Sequence, residues 1–493
     1  MENKQEHYTK ISKQIGVSYF FNFLLLIFQP LLIGLLTRVL SIKDFGIYSL
    51  LFTTISLLTV FFRFGLVEYI RNKVPGLKEE ERVKTIMTLL VFVILLLGSM
   101  GVLLFILNEF ITRLLGIGDY PHLWLLCVPI ILCLSLHDLI NTYLQAIKKI
   151  FIQSFLSFFI NCFWVMVLFI FLFFRVNISL GLIFIIWFSG IIFSLLLVIY
   201  FIRHEIYFFI KNSLKLDFVK LSKALKFSLP LVMMTTFNYI IMSSDRYFIN
   251  YYLGKPEVAI YSLAYGIVTA IAFVPSIFQN VIHPYFAEKW NLKEDPSLFF
   301  NIMIKYSLMG VFPAIVGLFV LRNEIITLLS GPAYLAAAPV LIVLLLFPLF
   351  NTFIDIFNKT LFLRDMTRHS LVMYFFAAVI SITLNFFLVP LMGILGAACS
   401  AVISYFILLV ILFNFRPRNI KFNFGYVKIS RILLASLVMG LIIAPINPAS
   451  WWSKLLVILF GVVVYLLLLF VFRTFSKEEK ELIKSFYINL RKS

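Results

Sequence analysis

Charge is scarce in this 493-residue chain: Asp, Glu, Lys and Arg make up 13% of it, about half the share of a soluble domain. That excludes an ordinary water-soluble fold. Acidic residues are the scarcer sign, at 23 against 42 Lys and Arg. Cysteine is nearly missing. Cys127, Cys133, Cys162 and Cys399 all sit in apolar runs, with no metal-ligand spacing and no loop to staple. A disulfide framework and a cysteine metal centre are therefore excluded, and the four read as reduced packing residues. No GxxxxGK[ST] run cradles a phosphate, so an intrinsic ATPase is excluded. No cysteine or histidine pairing suits a metal, and no cofactor is called for. No stretch between apolar runs is long enough for a nucleotide-sugar-binding domain.

What is present is hydrocarbon. The chain is 62% hydrophobic and carries 57 Phe. Fourteen apolar runs reach the length of about 20 residues that a bilayer requires; the first is at 15–37 and the last at 451–473. The polar start, MENKQEHYTKISKQ, argues against a cleaved signal peptide. The expected fold class is all-α: a polytopic transmembrane helical protein of about 14 spans, with two six-helix bundles related by a parallel pseudo-twofold and two further C-terminal spans.

Basic residues set the expected orientation. With both termini and alternate loops assigned to the cytoplasm, that side holds 34 Lys and Arg and the other side seven, with Arg246 inside a span. This is a strong positive-inside bias. It also accounts for the net charge of +19 without nucleic acid: the excess faces anionic membrane lipids. The expected location is the plasma (inner) membrane, multi-pass, with both termini cytoplasmic.

A repeat underlies the two-bundle expectation. The stretch from Leu40 to Leu50 (LSIKDFGIYSL) and that from Leu253 to Leu263 (LGKPEVAIYSL) align at a constant offset of 213, with five of eleven positions identical. Each lies in the first hairpin of its half, six spans apart, so the repeat is parallel. Residues 204–226 join the halves. There Ile210, Leu214, Phe218, Leu221 and Leu225 form one stripe, and Lys211, Lys215, Lys220, Lys223 and Lys226 cover much of the rest. That pattern predicts an amphipathic helix on the membrane surface. The expected organisation is a bundle over 1–203, the linker helix over 204–226, a second bundle over 227–415, and two spans with a short cytoplasmic tail over 416–493.

Several spans carry polar residues at helical spacing, although a charge at the bilayer centre costs at least about 2.5–3.5 kcal/mol. The fourth has His137, Asp138, Asn141 and Gln145; the fifth has Ser154, Ser157 and Asn161. The seventh has Thr235, Asn238, Asp245 and Arg246, the eighth Ser276, Gln279 or Asn280, and His283, and the tenth Asn351, Asp355 and Lys359. Arg63 and Glu68 close the second. Individually, Ser154, Ser157 and Thr235 suit interhelical hydrogen bonds, the histidines suit packing, and Asp355 with Lys359 suits an i,i+4 ion pair. Asp245 and Arg246 point about 100° apart, so at least one needs another partner. Together the stripes suggest a shared water-filled cavity.

The run from Leu36 to Leu50 (LTRVLSIKDFGIYSL) resembles the first hairpin of polysaccharide exporters and of O-antigen or capsule repeat-unit flippases. So do Leu229-Pro-Leu, SDRYFI at 244–249, IYSLAY at 260–265 and LNFFLVPLMGILGAA at 384–398. The similarity extends over roughly residues 10–415. These families belong to the multidrug/oligosaccharidyl-lipid/polysaccharide exporter (MOP) superfamily. The resemblance implies two bundles around a cavity that opens alternately to each side, and a polyprenyl-diphosphate-linked oligosaccharide flipped outward. It implies that Arg38, Arg63 and Arg246 stand where related lipid II flippases place diphosphate-binding cations.

The candidate substrate-binding set is therefore Arg38, Arg63, Asn141, Gln145, Asn161, Asn238, Arg246, Gln279, Asn351 and Lys359: cations for the diphosphate, amides for the sugars. The candidate ion-coupling set, for H+ or Na+, is His137, Asp138, Asp245 and Asp355. A polysaccharide polymerase machinery is an expected partner. No bond is made or broken in this reading, so no enzyme is expected. The alternatives are a drug/cation antiporter of the same superfamily, using the aspartates, and an integral-membrane polymerase or ligase, which would need a substantial external loop.

Overall fold

The computed structural model describes residues 20–474, apart from 22–23, 26–27, 29, 76, 213–214, 293, 365, 416–425, 447 and 449. Much of the expected first span and the charged tail from Ser476 lie outside the described residues. Among the described residues there is no strand. Thirteen stretches among the described residues are long and apolar enough to cross a membrane, and the described end of the expected first span is the apolar helix α1 (Pro30–Val39). The chain is an all-α, multi-pass membrane protein. In hydrocarbon the backbone must satisfy its own polar groups, and helices do so within one segment.

Two compact units divide the chain. The first comprises residues up to Leu263 together with Met366–Ser404. It contains α2 (Ile42–Phe62), α3 (Leu66–Lys73), α4 (Glu79–Ile106), α5 (Asn108–Leu114), α6 (Pro121–Ala146), α7 (Ile150–Phe173), α8 (Leu180–Phe201), α9 (Arg203–Lys211) and α10 (Phe218–Tyr252). It also holds the first turns of α11 (Lys255–Asn291), all of α16 (Thr367–Met392) and the first half of α17 (Ile394–Asn414). Helix α6 packs against α2, α3, α4, α7 and α8, and α10 packs along α16 and against α2 and α3.

Local chemistry explains several boundaries. Ser41 caps α2: its hydroxyl accepts from the Asp44 amide at 3.1 Å and donates to the Asp44 carboxylate at 2.7 Å. Three glutamates, Glu79 to Glu81, open α4, where negative charge suits the helix dipole. Ser179 caps α8. Asp217 caps α10 by accepting from the Lys220 amide at 2.9 Å. That cap alters the expected linker. The segment 204–226 is not one helix: α9 ends at Lys211 and α10 begins at Phe218, so the seventh span continues nine residues before its expected start at 227. An Asp side chain competes for backbone donors at its own position, which starts a new helix there.

The repeated stretches begin alike. Helices α2 and α11 start at Ile42 and Lys255, which are aligned positions 213 apart. The two starts also meet. A Cβ on Gly46 would lie 2.0 Å from the Lys255 carbonyl oxygen, so this approach requires glycine.

The second unit comprises Ala264–Asp365 and residues from Tyr405 onward. It holds the rest of α11 and α17, with α12 (Ser297–Val320), α13 (Arg322–Ser330), α14 (Ala337–Leu344), α15 (Leu346–Leu363), α18 (Tyr426–Ile443) and α19 (Trp451–Val471). The last two helices pack on each other and on α12 through Ile432, Met439, Ile443, Val457 and Leu469. The Tyr465 hydroxyl donates to the Met309 carbonyl at 2.7 Å.

Candidate functional site

Arg63 stands at the end of α2, where the chain turns through Phe64 and Gly65, both in the left-handed region (φ 49° and 63°). Its Nε donates to the Thr59 carbonyl at 3.2 Å, placing the cation on the negative end of the helix dipole. Its Nη1 donates to Asp138 Oδ2 on α6 at 2.9 Å. The Arg63 side chain is 23% exposed and that of Asp138 34%, so neither is sealed inside the chain. A guanidinium has five donors, and these two bonds leave several unused.

Behind this pair lies a buried relay. His137 is 1% exposed. Its Nδ1 is 3.5 Å from Asp138 Oδ1, and its Nε2 is 2.9 Å from the Ser194 hydroxyl on α8. Tyr239 of α10 lies within electrostatic reach of both Arg63 and Asp138. Four helices thus converge on one cation, one carboxylate, one imidazole and one phenol. The arrangement can bind an oxyanion and can hold or release a proton.

Arg246 is differently placed. Asp245 and Arg246 are both buried. Asp245 accepts from the Tyr261 hydroxyl and from the Arg246 amide at 2.8 Å. Arg246 Nη1 reaches Asp245 Oδ1 at 3.4 Å and the Met242 carbonyl at 3.0 Å, and its Nε donates to the Ser262 hydroxyl at 3.3 Å. The two side chains touch only edgewise, and each has the further partners their 100° separation demands. Close by, Asn385 donates to Ser244 Oγ at 3.3 Å and to the Ser381 carbonyl at 3.0 Å.

In the second unit, Lys359 donates to Gln279 Oε1 at 2.7 Å. Gln279 Nε2 donates in turn to the Ser307 hydroxyl and the Thr352 carbonyl, each at 3.4 Å. Asp355 accepts from Asn351 at 3.1 Å. The i,i+4 ion pair between Asp355 and Lys359 does not form, because the Gln279 carbonyl oxygen takes the ammonium instead.

The remaining candidates scatter. Arg38 on α1 is exposed. Gln145 is exposed near the end of α6, and Asn161 is exposed on α7, donating to the Ser157 carbonyl at 2.7 Å. Asn141 is buried and donates to Ser157 Oγ at 2.9 Å, the interhelical hydrogen bond anticipated for the fifth span. Asn238 is half-buried, 3.8 Å from Met242 Sδ. The His283 side chain lies outside the described residues. The stripes missed Ser194, Tyr239 and Tyr261. A lone serine or tyrosine in an apolar run carries no periodic signal, though Tyr261 is the repeat counterpart of Tyr48. Among the described residues no cluster of His, Cys, Asp or Glu could hold a metal ion.

This helical architecture is a fold already seen in solved membrane proteins. It matches the structure of the lipid II flippase MurJ in an inward closed conformation with a TM-score of 0.73, at 18% identity over 93% of this chain and 98% of that one. It matches an inward-facing MATE-family multidrug resistance transporter with a TM-score of 0.61, at 14% identity over 82% and 94%. The chain belongs to the polysaccharide biosynthesis protein family, whose profile matches residues 35–339, as the motifs at 36–50 and 244–265 imply. Among curated relatives, it is 27% identical over 183 residues to the uncharacterized membrane protein MJ1068 of Methanocaldococcus jannaschii, which is 36% of each chain. It is 22% identical over 264 residues to the probable low-salt glycan biosynthesis flippase Agl15 of Haloferax volcanii, covering 52% of this chain and 56% of that protein. The chain therefore matches little more than half the length of these relatives at most.

Proposed function

We propose that the protein is a flippase that moves a polyprenyl-diphosphate-linked oligosaccharide across the plasma membrane by alternating access, for surface polysaccharide synthesis. The observation that carries this is Arg63: a partly exposed guanidinium at a helix end, with unused donors, in a chain of the polysaccharide biosynthesis family. A diphosphate is a poor solute for hydrocarbon, and a fork of N–H donors matches its oxygens. The glycan flippase Agl15 among the relatives supports the same substrate class.

In this reading Arg63 is the principal anion contact. Arg38, Arg246 and Lys359 are secondary cations, and Asn238, Gln145, Asn161, Asn141, Gln279 and Asn351 face sugar hydroxyls or organise those that do. Asp138, His137, Asp245 and Asp355 carry ion coupling to H+ or Na+. The two six-span bundles, the cytoplasmic termini and a polysaccharide polymerase partner belong to the same proposal, as does the absence of bond chemistry. A cation antiporter is the weaker reading, because Asp138 is already paired with a fixed cation.

The test is the leaflet distribution of lipid-linked oligosaccharide in cells lacking the protein. Accumulation on the inner leaflet, corrected by wild type and not by Arg63→Ala at equal membrane abundance, is the expected result. Full correction by Arg63→Ala would remove Arg63 from the site.

A further inference from the structure

We propose that Asp138 is a built-in competitor for the Arg63 anion site, and that displacing it loads one proton onto the Asp138–His137 pair. The inference rests on the reading of Arg63 as an anion contact and adds how that contact is regulated.

The argument is electroneutrality. With no ligand, Arg63 and Asp138 cancel at 2.9 Å. A phosphate arriving at the remaining Arg63 donors competes with Asp138 for the same positive charge. If the phosphate bound and Asp138 stayed ionised, two anionic groups would face one cation in a partly buried site, and uncompensated charge there is expensive. Protonation of Asp138 removes the excess. One proton is taken from water on binding and returned to water when the anion leaves; no other atom changes hands.

The local structure supports this exchange. The Asp138 side chain is partly exposed, while His137 behind it is sealed. The second carboxylate oxygen, Oδ1, already faces His137 Nδ1. Ser194 anchors the other ring nitrogen at 2.9 Å, holding the imidazole edge-on to Asp138. An O–H placed on Asp138 has a nitrogen acceptor waiting, and an N–H placed on His137 has a carboxylate acceptor. Ser194 is thus a positioning residue.

The charged or titratable groups acting on the Asp138 carboxylate are Arg63 from α2, His137 from its own helix and Tyr239 from α10. From α8 comes the neutral Ser194, and α7 places the neutral Ser157 on Asn141 one turn along, with Gln153 donating to the same Ser157 hydroxyl. Glu68 of α3, the nearest acid in sequence after Arg63, is occupied by Arg71 at 2.8 Å. No second carboxylate shares the site among the described residues.

The test uses the full-length protein in nanodiscs with inorganic pyrophosphate as probe. Calorimetry in buffers of different ionisation enthalpy counts protons taken up per anion bound, near neutral pH. Pyrophosphate contributes its own proton change, so the quantity read is the difference between wild type and Asp138→Asn. The expected result is about one extra proton in the wild type, and binding that tightens as pH falls. Asp138→Asn is expected to bind about five-fold more tightly than wild type at neutral pH, with a flatter pH profile.

Ser194→Ala keeps both the cation and its competitor. It is expected to shift the midpoint of the wild-type pH profile and to leave the low-pH affinity unchanged, which a merely structural role would not do. Equal proton uptake by wild type and Asp138→Asn, with pyrophosphate bound by both and lost in Arg63→Ala, would overturn the proposal and leave the anion site standing. No saturable pyrophosphate binding by the wild type would remove the anion site and the proposal with it.

Discussion

The two ends of α10 are held by different physics. At the end near the repeated hairpins, Asn250 donates to the Leu115 carbonyl at 3.1 Å, and the buried Lys255 ammonium donates to the same carbonyl and to the Asn250 side chain. Tyr247 and Thr54 share a hydrogen bond at 2.9 Å, and Gly46 lies hard against the Lys255 backbone. At the linker end, Asp217 lies 3.8 Å from Lys84 and Lys220 lies 3.4 Å from Glu81, with side chains 20–55% exposed. The first set is buried or partly buried and centres on a backbone acceptor, the Leu115 carbonyl. The second is ionic and wet. Exposed pairs contribute about 0–1 kcal/mol each, whereas a buried carbonyl stripped of its donors costs about 1–3 kcal/mol. In this state the linker end is the easier of the two to open.

The strongest way to break the comparison is Gly46→Ala. The added Cβ meets a backbone carbonyl, not a flexible side chain, so a helix must move; overpacking of this kind costs about 1–3 kcal/mol. Gly98 in α4 is the control, since a Cβ there meets nothing within 4 Å, and Gly98→Ala gains helix propensity of about 1 kcal/mol. Thermal unfolding in detergent should fall for the first variant and hold or rise for the second. Equal midpoints would mean the hairpin end is not tightly closed.

Next in size is Lys255→Met, which keeps the apolar stem and deletes the ammonium. The Leu115 carbonyl then keeps only the Asn250 amide, and Asn250 Oδ1 loses its donor. A loss of about 1–2 kcal/mol is expected, together with increased thiol labelling of a cysteine introduced at Gly116, whose Cβ position is 3.3 Å from the Lys255 ammonium. Unchanged labelling would show that the lysine does not seal this end.

Lys255 also illustrates how far the sequence could be read. It counted as one of seven basic residues in loops on the opposite side, because charge and position are visible in a sequence and burial is not. The spans were legible, since apolar runs of bilayer length leave little choice of structure. So was the repeat, whose two helices start at aligned positions. The Arg63–Asp138 pair was not legible: each residue lies on its own polar stripe, but 75 positions separate them and only the packing of α2 on α6 joins them. The Asp355–Lys359 pair failed for the converse reason. Local spacing suggested it, and a residue from another helix, Gln279, offered the ammonium a better partner. The amphipathic linker followed its hydrophobic stripe, which continues through Asp217 without recording that an Asp side chain there starts a second helix.

The smallest expected effect concerns that same residue. The Lys220 amide, which donates to Asp217, and the nearby ammonium groups of Lys84 and Lys220 hold the Asp217 carboxyl below the usual carboxylate range. A carboxyl lowered in the folded state contributes stability that is present above its unfolded value of about 3.9 and is lost as pH falls through the folded value. Acidification below about pH 4 should therefore loosen the linker end of α10. Lys255 has an amide oxygen and a backbone carbonyl as partners, so these contacts contain no carboxylate to lose on acidification. Amide hydrogen exchange over residues 218–222, corrected for the intrinsic pH dependence, should show the lost protection, and residues 115–116 should not. Asp217→Asn keeps a good cap and should abolish the pH step. Added salt should weaken the same contacts, because the Debye length falls to about 3 Å at 1 M. Loss of protection at both ends together would mean that α10 moves as one rigid piece and that the contrast between its ends has no consequence for opening.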